Sequence, residues 1–329
     1  MRLVRRAKDE AGFDALRDAC SLPSFFKLMS GAHGRRYYQA VRDQSPADLS
    51  FAIADTAGLM ALVEVEAAGG ALRRFGFPLE IRLRGDLEPL VLRRVVRDIL
   101  GELKRLAKEQ AATTIAIRTS RALDPDGIVA GQCLGLGGTP GLELRAEADL
   151  GIGDKALAED MRKGHRQQVK WGEKNLAQSF VDAANPDRAA FERFQAFHAE
   201  VAGRVTRPAA SWDAMFEAIT AGKGDLVLGT LDGLLVAGSL VLDADDTAYY
   251  ASGVYHRGHF DKPLAHGTVF TSLARAAKRR LRFFDVGELP LPGGEHNDKE
   301  VAIGFFKRGF TARTVESTVW TLTVDDASS

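Results

Sequence analysis

Residues 283–310 open with Phe283-Phe284-Asp285-Val286-Gly287 and close with Gly304-Phe305-Phe306-Lys307-Arg308-Gly309-Phe310. The opening reads as a short apolar strand that ends in an acid and a glycine. A loop rich in proline and glycine follows, and the closing part reads as a compact helix. Because a lysine among phenylalanines is poorly hydrated, its ammonium is expected to face an anion or a developing negative charge. The alternative is a lysine whose stem covers the core while its head stays in water.

The composition is that of a soluble globular protein, with 329 residues of which 45% are apolar and 27% charged. This length allows two domains with sizeable cores. The 44 basic and 44 acidic side chains give a net charge of zero, which disfavours a general nucleic-acid or membrane-surface binder. The sequence has no apolar run of membrane-spanning length and no secretory signal. Two isolated cysteines, Cys20 and Cys133, fit a reduced, cytoplasmic protein.

Two segments share one order of elements, which is strand, turn, strand, strand, helix, strand. The first runs from Leu49 to Arg118 and the second from Asp225 to Val286. In the second, Asp232-Gly233 between apolar runs predicts a β-hairpin. The shared order predicts two related α/β (α+β) domains, residues 1–145 and 146–329. Asn185-Pro186 further predicts a helix start, with an N-cap followed by a first-turn proline.

Two basic segments would suit an anionic ligand. Arg162, Arg166 and Lys170 recur every four residues, which forms a basic stripe on one helix face without acids four residues further on. A solvated face is the alternative. Arg204 and Arg207 follow the next helix, and their guanidinium groups can recognise carboxylates and phosphates bidentately. Capping of the helix end explains these two arginines equally well.

A third region is the crossing from the strand at Tyr249-Tyr250 to the following helix. Ala265, His266 and Gly267 stand at the helix N-terminus, where free N–H groups and the helix dipole suit a phosphate. An ordinary strand-to-helix turn is the alternative. Tyr250, at the start of the crossing, is predicted to contact the substrate.

Several of these features occur in a characteristic order along the chain. They are the basic helix at 162–174, Gly203-Arg204-Val205-Thr206-Arg207, the Asp232-Gly233 hairpin, the Tyr249-Tyr250 strand, Phe284-Asp285-Val286-Gly287 and Phe306-Lys307-Arg308-Gly309-Phe310. Together they resemble the Fem-type branch of the GNAT acyltransferase superfamily, over about residues 140 to 320. The closing Phe-Lys-x-Gly-Phe is the most specific part of the resemblance.

The resemblance implies a tandem of two GNAT-like folds, each a mixed, mostly antiparallel sheet flanked by helices. It also implies that Lys307, with Phe306, contacts the acyl donor or the oxyanion of the reaction. Ala265, His266 and Gly267 would take the donor phosphate. The implied donor is acyl-CoA as a co-substrate. An aminoacyl-tRNA is allowed but disfavoured by the neutral charge of the chain.

The predicted function is N-acyl or aminoacyl transfer to an amine of a sugar, nucleotide-sugar or amino-acid-like acceptor, with a place in cell-envelope biosynthesis. Lys307 would stabilise the tetrahedral oxyanion, and Asp285, Glu288 or His296 would remove the proton. No metal and no tightly bound cofactor is expected, and the chain should be a monomer or weak dimer. The rival prediction is a non-catalytic GNAT-like module that binds an anionic sugar nucleotide.

Overall fold

The computed structural model describes residues 2–18, 48–74, 77–244 and 246–324. These residues form two compact units. The first unit holds the described residues up to 143 together with 316–324, and the second unit holds 144–315. The domain limits 1–145 and 146–329 stay a prediction. Cys133 is buried, and Cys20 lies outside the described residues.

Nine helices and fourteen strands occur in the described residues. The helices are α1 (Glu10–Asp18), α2 (Pro89–Glu109), α3 (Ile128–Gly135), α4 (Asp154–Asp160), α5 (Lys163–Asn175), α6 (Arg188–Ala202), α7 (Ala209–Thr220), α8 (Leu264–Lys278) and α9 (Asp298–Lys307). The strands are β1 (Arg2–Arg5), β2 (Phe51–Asp55), β3 (Gly58–Val63), β4 (Glu66–Ala68), β5 (Ala71–Arg73), β6 (Leu79–Leu83), β7 (Thr114–Thr119), β8 (Thr139–Asp149), β9 (Ala177–Val181), β10 (Gly224–Leu231), β11 (Leu234–Ala244), β12 (Thr247–Tyr255), β13 (Phe283–Leu289) and β14 (Thr314–Thr323).

The sheet of the first unit has the strand order β1-β2-β3-β6-β7-β14. Its pairs are antiparallel except for β6 with β7 and β5 with β7, which are parallel. The predicted order of strands and helix is confirmed by β2, β3, β6, α2 and β7. A short hairpin, β4–β5, was not predicted, because strands of three residues carry no readable alternation. The α2 helix buries an apolar face against this sheet, including Val95, Ile99 and Leu103.

The sheet of the second unit has the order β8-β13-β12-β11-β10-β9, and β12 with β13 is its one parallel pair among the described residues. The predicted hairpin is confirmed, since Leu231 pairs with Leu234 across Asp232 and Gly233. These two residues have φ of 52° and 82°, as a two-residue type I′ turn requires.

The predicted start of α6 is wrong by two residues. The helix begins at Arg188, and the carboxylate of Asp187 caps it by accepting from the Ala190 amide at 2.9 Å. Asn185 instead belongs to the preceding turn, where its amide donates to Asp182 at 2.8 Å. A carboxylate three residues before a free amide therefore sets the helix start.

Arg275 of α8 and Arg279, which directly follows this helix, bind it to the sheet of the second unit. Asp225 of β10 is fully buried and accepts from Arg275 at 2.5 Å and from Arg279 at 2.7 Å. Arg279 also donates to both oxygens of Asp243 on β11, at 2.6 and 2.9 Å. Buried carboxylates need such partners, so these ion pairs fix how α8 lies across β10 and β11.

We expect Arg279→Met to lower the free energy of unfolding by about 3 kcal/mol, because it removes donors from two largely buried carboxylates while keeping the apolar stem. The measurement is urea denaturation followed by circular dichroism. Arg188→Met is the matched control. Its partners Glu192 and Asp213 are exposed, so the loss should stay below about 1 kcal/mol. Equal losses in the two variants would contradict the assigned role.

Candidate active site

The parallel strands β12 and β13 pair over three residues and then separate. Pairing runs from Thr247 opposite Phe283 to Tyr249 opposite Asp285. Beyond this point β12 continues beside β11, and β13 continues beside β8. We call the opening between the carboxyl ends of β12 and β13 the fork. Main-chain groups that face such an opening are available to a ligand.

Lys307 of α9 reaches β13 just beyond the base of the fork. Its Nζ donates to the carbonyl oxygen of Glu288 at 2.8 Å, which is the one hydrogen bond of this side chain in the described part of the chain. Burial lowers the pKa of Lys307 and Arg145 adds to the effect, whereas Glu288 and Asp285 oppose it. Because an ammonium carries three donors, two of them remain for a ligand.

Gly287 makes room for this lysine. The residue has φ of +116°, and a Cβ placed there would lie 2.9 Å from Nζ and 3.3 Å from Cε of Lys307. The pairing of β13 with β8 also shifts between Asp285 and Gly287, so Val286 forms a β-bulge. Both the backbone conformation and the close approach require glycine at this position.

A set of charged side chains surrounds Asp285 at the base of the fork. Asp285 is buried, its Oδ2 accepts from Arg145 Nε at 2.7 Å, and its Oδ1 has no partner among the described residues. Glu147 stands opposite Asp285 in the strand register. Burial raises the pKa of Glu147 to about 7, although Arg313, 3.0 Å away, opposes the shift. Sequence reasoning missed Arg145 and Glu147, whose signal was the alternation of charges along β8.

Aromatic rings from α5, α8 and the end of α9 pack together. His266 of α8 contacts His165 of α5 with 4.5 Å between ring centroids, and Phe306 of α9 with 5.1 Å. Phe310 completes the cluster, 5.0 Å from Phe306. Burial lowers the pKa of His266 to about 4, and His165 adds to the shift. The structure thus brings two predicted residues, His266 and Phe306, into one apolar contact.

The start of α5 is bonded to the end of α9. The Arg162 amide donates to the carbonyl of Gly309 at 2.9 Å, and His165 Nε2 donates to the carbonyl of Phe306 at 3.0 Å. The Arg162 guanidinium lies 3.7 Å from the ring centroid of Phe305, and its Nη1 is buried without a partner among the described residues. Phe305 is 57% exposed, so its ring supports Arg162 and does not enclose Lys307.

The other two cations of the predicted stripe have different surroundings. Arg166 Nη1 donates to the carbonyls of Glu159 at 2.9 Å and Met161 at 3.1 Å, which caps the end of α4. Lys170 is exposed. Spacing by four residues therefore predicted that Arg166 and Lys170 lie on one helix, α5. It did not predict that Arg166 is hydrogen-bonded to protein carbonyls.

Arg207 and Tyr250 both contact β12. Arg207 donates to the carbonyl of Ala251 at 3.2 Å and to Ser252 Oγ at 3.4 Å. Ala251 is the bulged residue of β12, so Arg207 supports the irregular part of that strand. The Tyr250 and Tyr255 hydroxyls are hydrogen-bonded, and burial raises the pKa of Tyr250. Arg204 is exposed.

Two further predicted positions, Gly267 and His296, have other neighbours. Gly267 packs against Gly172 of α5, where a Cβ on Gly172 would come within 2.8 Å of the Gly267 Cα. This glycine thus permits a close helix crossing that covers part of the first turn of α8, which Ala265 also occupies. His296 lies in the exposed loop after β13, with Nδ1 3.7 Å from Glu300.

The described residues contain neither a cluster of metal ligands nor a membrane-spanning helix. No three His, Cys, Asp or Glu side chains lie together as metal ligands in these ranges. Nor does any helix described there combine the length and hydropathy needed to cross a bilayer.

Comparison with known proteins gives matches to solved structures alone. No protein-family model matches the chain, and no curated protein sequence does. The structure of FemX matches with a TM-score of 0.65 at 14% identity, covering 98% of this chain and 97% of that one. L-PGS from Bacillus licheniformis matches with a TM-score of 0.57 at 14% identity, covering 97% and 93%. A tandem GNAT protein from the clavulanic acid biosynthesis pathway matches with a TM-score of 0.56 at 16% identity, covering 99% of both chains.

The chain therefore has the tandem GNAT fold in its Fem-like form. At these identities the likeness establishes the fold alone. The chemistry of the site depends on its own side chains, because one fold can serve many functions.

We expect His266→Phe to reduce the acid sensitivity of the fold. In the native state the pKa of His266 is about 4, below its ordinary value of 6.5, so protons bind preferentially to the unfolded chain as the pH falls through that interval. Proton binding to the unfolded chain lowers the free energy of unfolding. The contribution of His266 to this loss is absent well above pH 6.5 and reaches about 2 kcal/mol at pH 5.

The measurement is the free energy of unfolding at pH 7.5 and pH 5 in both proteins. The decrease in the free energy of unfolding from pH 7.5 to pH 5 should be smaller by about 2 kcal/mol in His266→Phe than in the wild-type protein. The other histidines titrate in both proteins and so contribute equally. An unchanged drop would show that His266 does not titrate as a buried neutral ring.

Proposed function

We propose that this protein is an N-acyltransferase that moves an acyl or aminoacyl group from acyl-CoA or an aminoacyl-tRNA to an amine. The acceptor class is a sugar, nucleotide-sugar or amino-acid-like amine. The observation that carries the proposal is Lys307, a half-buried ammonium with two free donors beside an opening between parallel strands of a GNAT fold. The geometry supports acyl transfer because this reaction needs a fixed positive charge next to a bound carbonyl.

In the proposed reaction the acceptor amine attacks the donor carbonyl, and the carbonyl oxygen becomes a tetrahedral oxyanion. Lys307 donates to this oxygen, while Glu288 holds the ammonium through its main-chain carbonyl. Because Lys307 is already desolvated and anchored, little reorganisation is needed as the charge develops. Collapse of the intermediate breaks the bond to the leaving thiol or hydroxyl and leaves an amide.

The attacking amine loses a proton, and three carboxylates lie near enough to the fork to be candidates. Asp285 has a buried free oxygen at the fork base, and Glu288 is the neighbouring exposed acid. Glu147 faces Asp285, and its pKa of about 7 suits a group that accepts a proton near neutral pH. His296, which contacts Glu300, has no part in this scheme.

Arg162 is the group best suited to the anionic part of the donor. Its buried Nη1 lacks a partner among the described residues, and its plane is fixed on Phe305. An oriented guanidinium with a free N–H is a strong phosphate ligand. The first turn of α8, with Ala265 and Gly267, is less accessible because α5 packs on it. Lys170, Arg204 and Tyr250 remain proposed contacts of the acceptor, and Arg166 is proposed only as a cap.

We expect Lys307→Met to lower kcat by about 10²- to 10³-fold with a normal fold, since the side-chain stem is kept and the charge removed. The assay is free-thiol release from a panel of acyl-CoA esters with amino-sugar and amino-acid amines. Lys299→Met is the matched control, being an exposed lysine on the same helix, and should keep wild-type rates. Full activity in Lys307→Met would overturn the proposal. Turnover of no ester, together with thermal stabilisation by a nucleotide sugar, would favour the binding module.

A second expectation concerns the alkaline limb of the pH profile. If protonated Lys307 is the active form, kcat must fall as the pH rises through its pKa, which burial lowers from 10.5. In Lys307→Arg the guanidinium stays charged, so this limb should move beyond the measured range even where the overall rate is reduced. The measurement is kcat against pH from about 6 to about 10.5. An identical alkaline limb in both proteins would assign it to another group.

A further inference from the structure

A basic cleft in the first unit lies between α2 and α3. Leu90, Arg93, Arg94 and Arg97 occupy positions that share one face of α2. The cleft has a volume of about 540 Å³. On the opposite side it is lined by Asp126, Gly127, Ile128, Gly131 and Gln132.

The arginines of this cleft differ from another arginine on the same helix. Arg105 binds the carboxylate of Glu102 at 2.8 Å and also pairs with Glu109. Arg93 and Arg94 have no carboxylate within ion-pair distance among the described residues, and Arg97 has only Asp98, at 3.9 Å. Arg93 and Arg97 are four residues apart, where like charges destabilise a helix. The helix therefore places three arginines at the cleft with little neutralisation by carboxylates.

The walls of the cleft are fixed in place. Gln132 Nε2 of α3 donates to the carbonyl of Arg93 at 2.8 Å, which ties the two helices together. The amides of Val129 and Ala130 are already bonded to Asp124, at 3.1 and 2.9 Å. The start of α3 is thus occupied by an internal acid, and the charge that a ligand meets comes from the arginines.

The cleft also has an apolar part. Leu90 is 80% exposed on the arginine face of α2, and half-buried Ile128 lies across from it. A volume of about 540 Å³ is in the range of small-molecule sites and much larger than one inorganic anion. The lining therefore suits a ligand with an anionic end and an organic body.

We propose that this cleft binds a phosphorylated small molecule of nucleotide size. Three guanidinium groups against the single acid Asp126 leave an excess of positive charge that a phosphate group, with its several acceptor oxygens, can match. A single carboxylate would leave most of that charge unmatched. Leu90 and Ile128 would contact the base or another organic part of the ligand. This site is independent of Lys307 and of the proposed acyl transfer.

The test is isothermal titration of the full chain with ADP and with inorganic pyrophosphate. Saturable ADP binding is expected, with Kd raised at least about tenfold in Arg93→Gln and in Arg97→Gln. Arg105→Gln is the matched control, from the same helix, and should change Kd by less than about twofold. ADP should also bind more tightly than pyrophosphate. In Leu90→Ser the Kd values for ADP and pyrophosphate should lie closer together.

Three outcomes would overturn the proposal. They are no saturable binding of ADP, ADP binding that is unchanged in Arg93→Gln and Arg97→Gln, and equal affinities for ADP and pyrophosphate. Tighter binding of a single-stranded RNA oligomer than of ADP through the same arginines would replace the small-molecule assignment with a nucleic-acid one. Thermal unfolding of each variant, measured alongside, shows whether the fold is intact.

Discussion

The separation of β12 from β13 is the constraint on which the candidate active site depends. Two parallel strands that stop pairing would ordinarily leave main-chain groups unsatisfied. Here each strand keeps a partner on its outer side, β11 for β12 and β8 for β13, while the groups that face the opening stay available to a ligand. Bulges at Ala251 and Val286 bend the strands near the point of separation, and Arg207 and Lys307 bond to carbonyls close to these bulges. The opening is thus maintained by side chains that are themselves part of the site or support it.

Among the described cations beside β13, Lys307 keeps donors for a ligand where its neighbours are bonded to protein groups. Arg145 is committed to Asp285, and Arg166 to the carbonyls of α4. Among the described residues Lys307 has one hydrogen-bond partner, the carbonyl of Glu288, and burial disfavours its charged form. An anion or a developing oxyanion would offset this effect of burial, because electrostatic attraction is stronger where water is scarce. The same environment that lowers the pKa of Lys307 therefore favours binding of negative charge.

Much of the fold could be predicted from the sequence, because its signals are local. The hairpin at Asp232-Gly233 and the shared order of strands and helices are examples, and both are confirmed. The grouping of Lys307 with Asp285 could also be expected, since both lie in one stretch of 28 residues. Arg145 was missed because it joins them only through strand register. The bonds of Arg166 to the carbonyls at the end of α4 could not be predicted, because spacing gives the face of a helix but not the groups that this face contacts.

The bonds between α5 and α9 join parts of the chain that are far apart in sequence. His165 and Phe306, which share a hydrogen bond, are separated by 141 positions. Closing a loop of this length costs conformational entropy, which the contacts of the folded second unit must offset. The carboxyl-terminal end of α9, and with it the ammonium of Lys307, is held in position by its hydrogen bonds to the start of α5. The geometry around Lys307 is consequently a property of the whole second unit and not of the β13–α9 segment by itself.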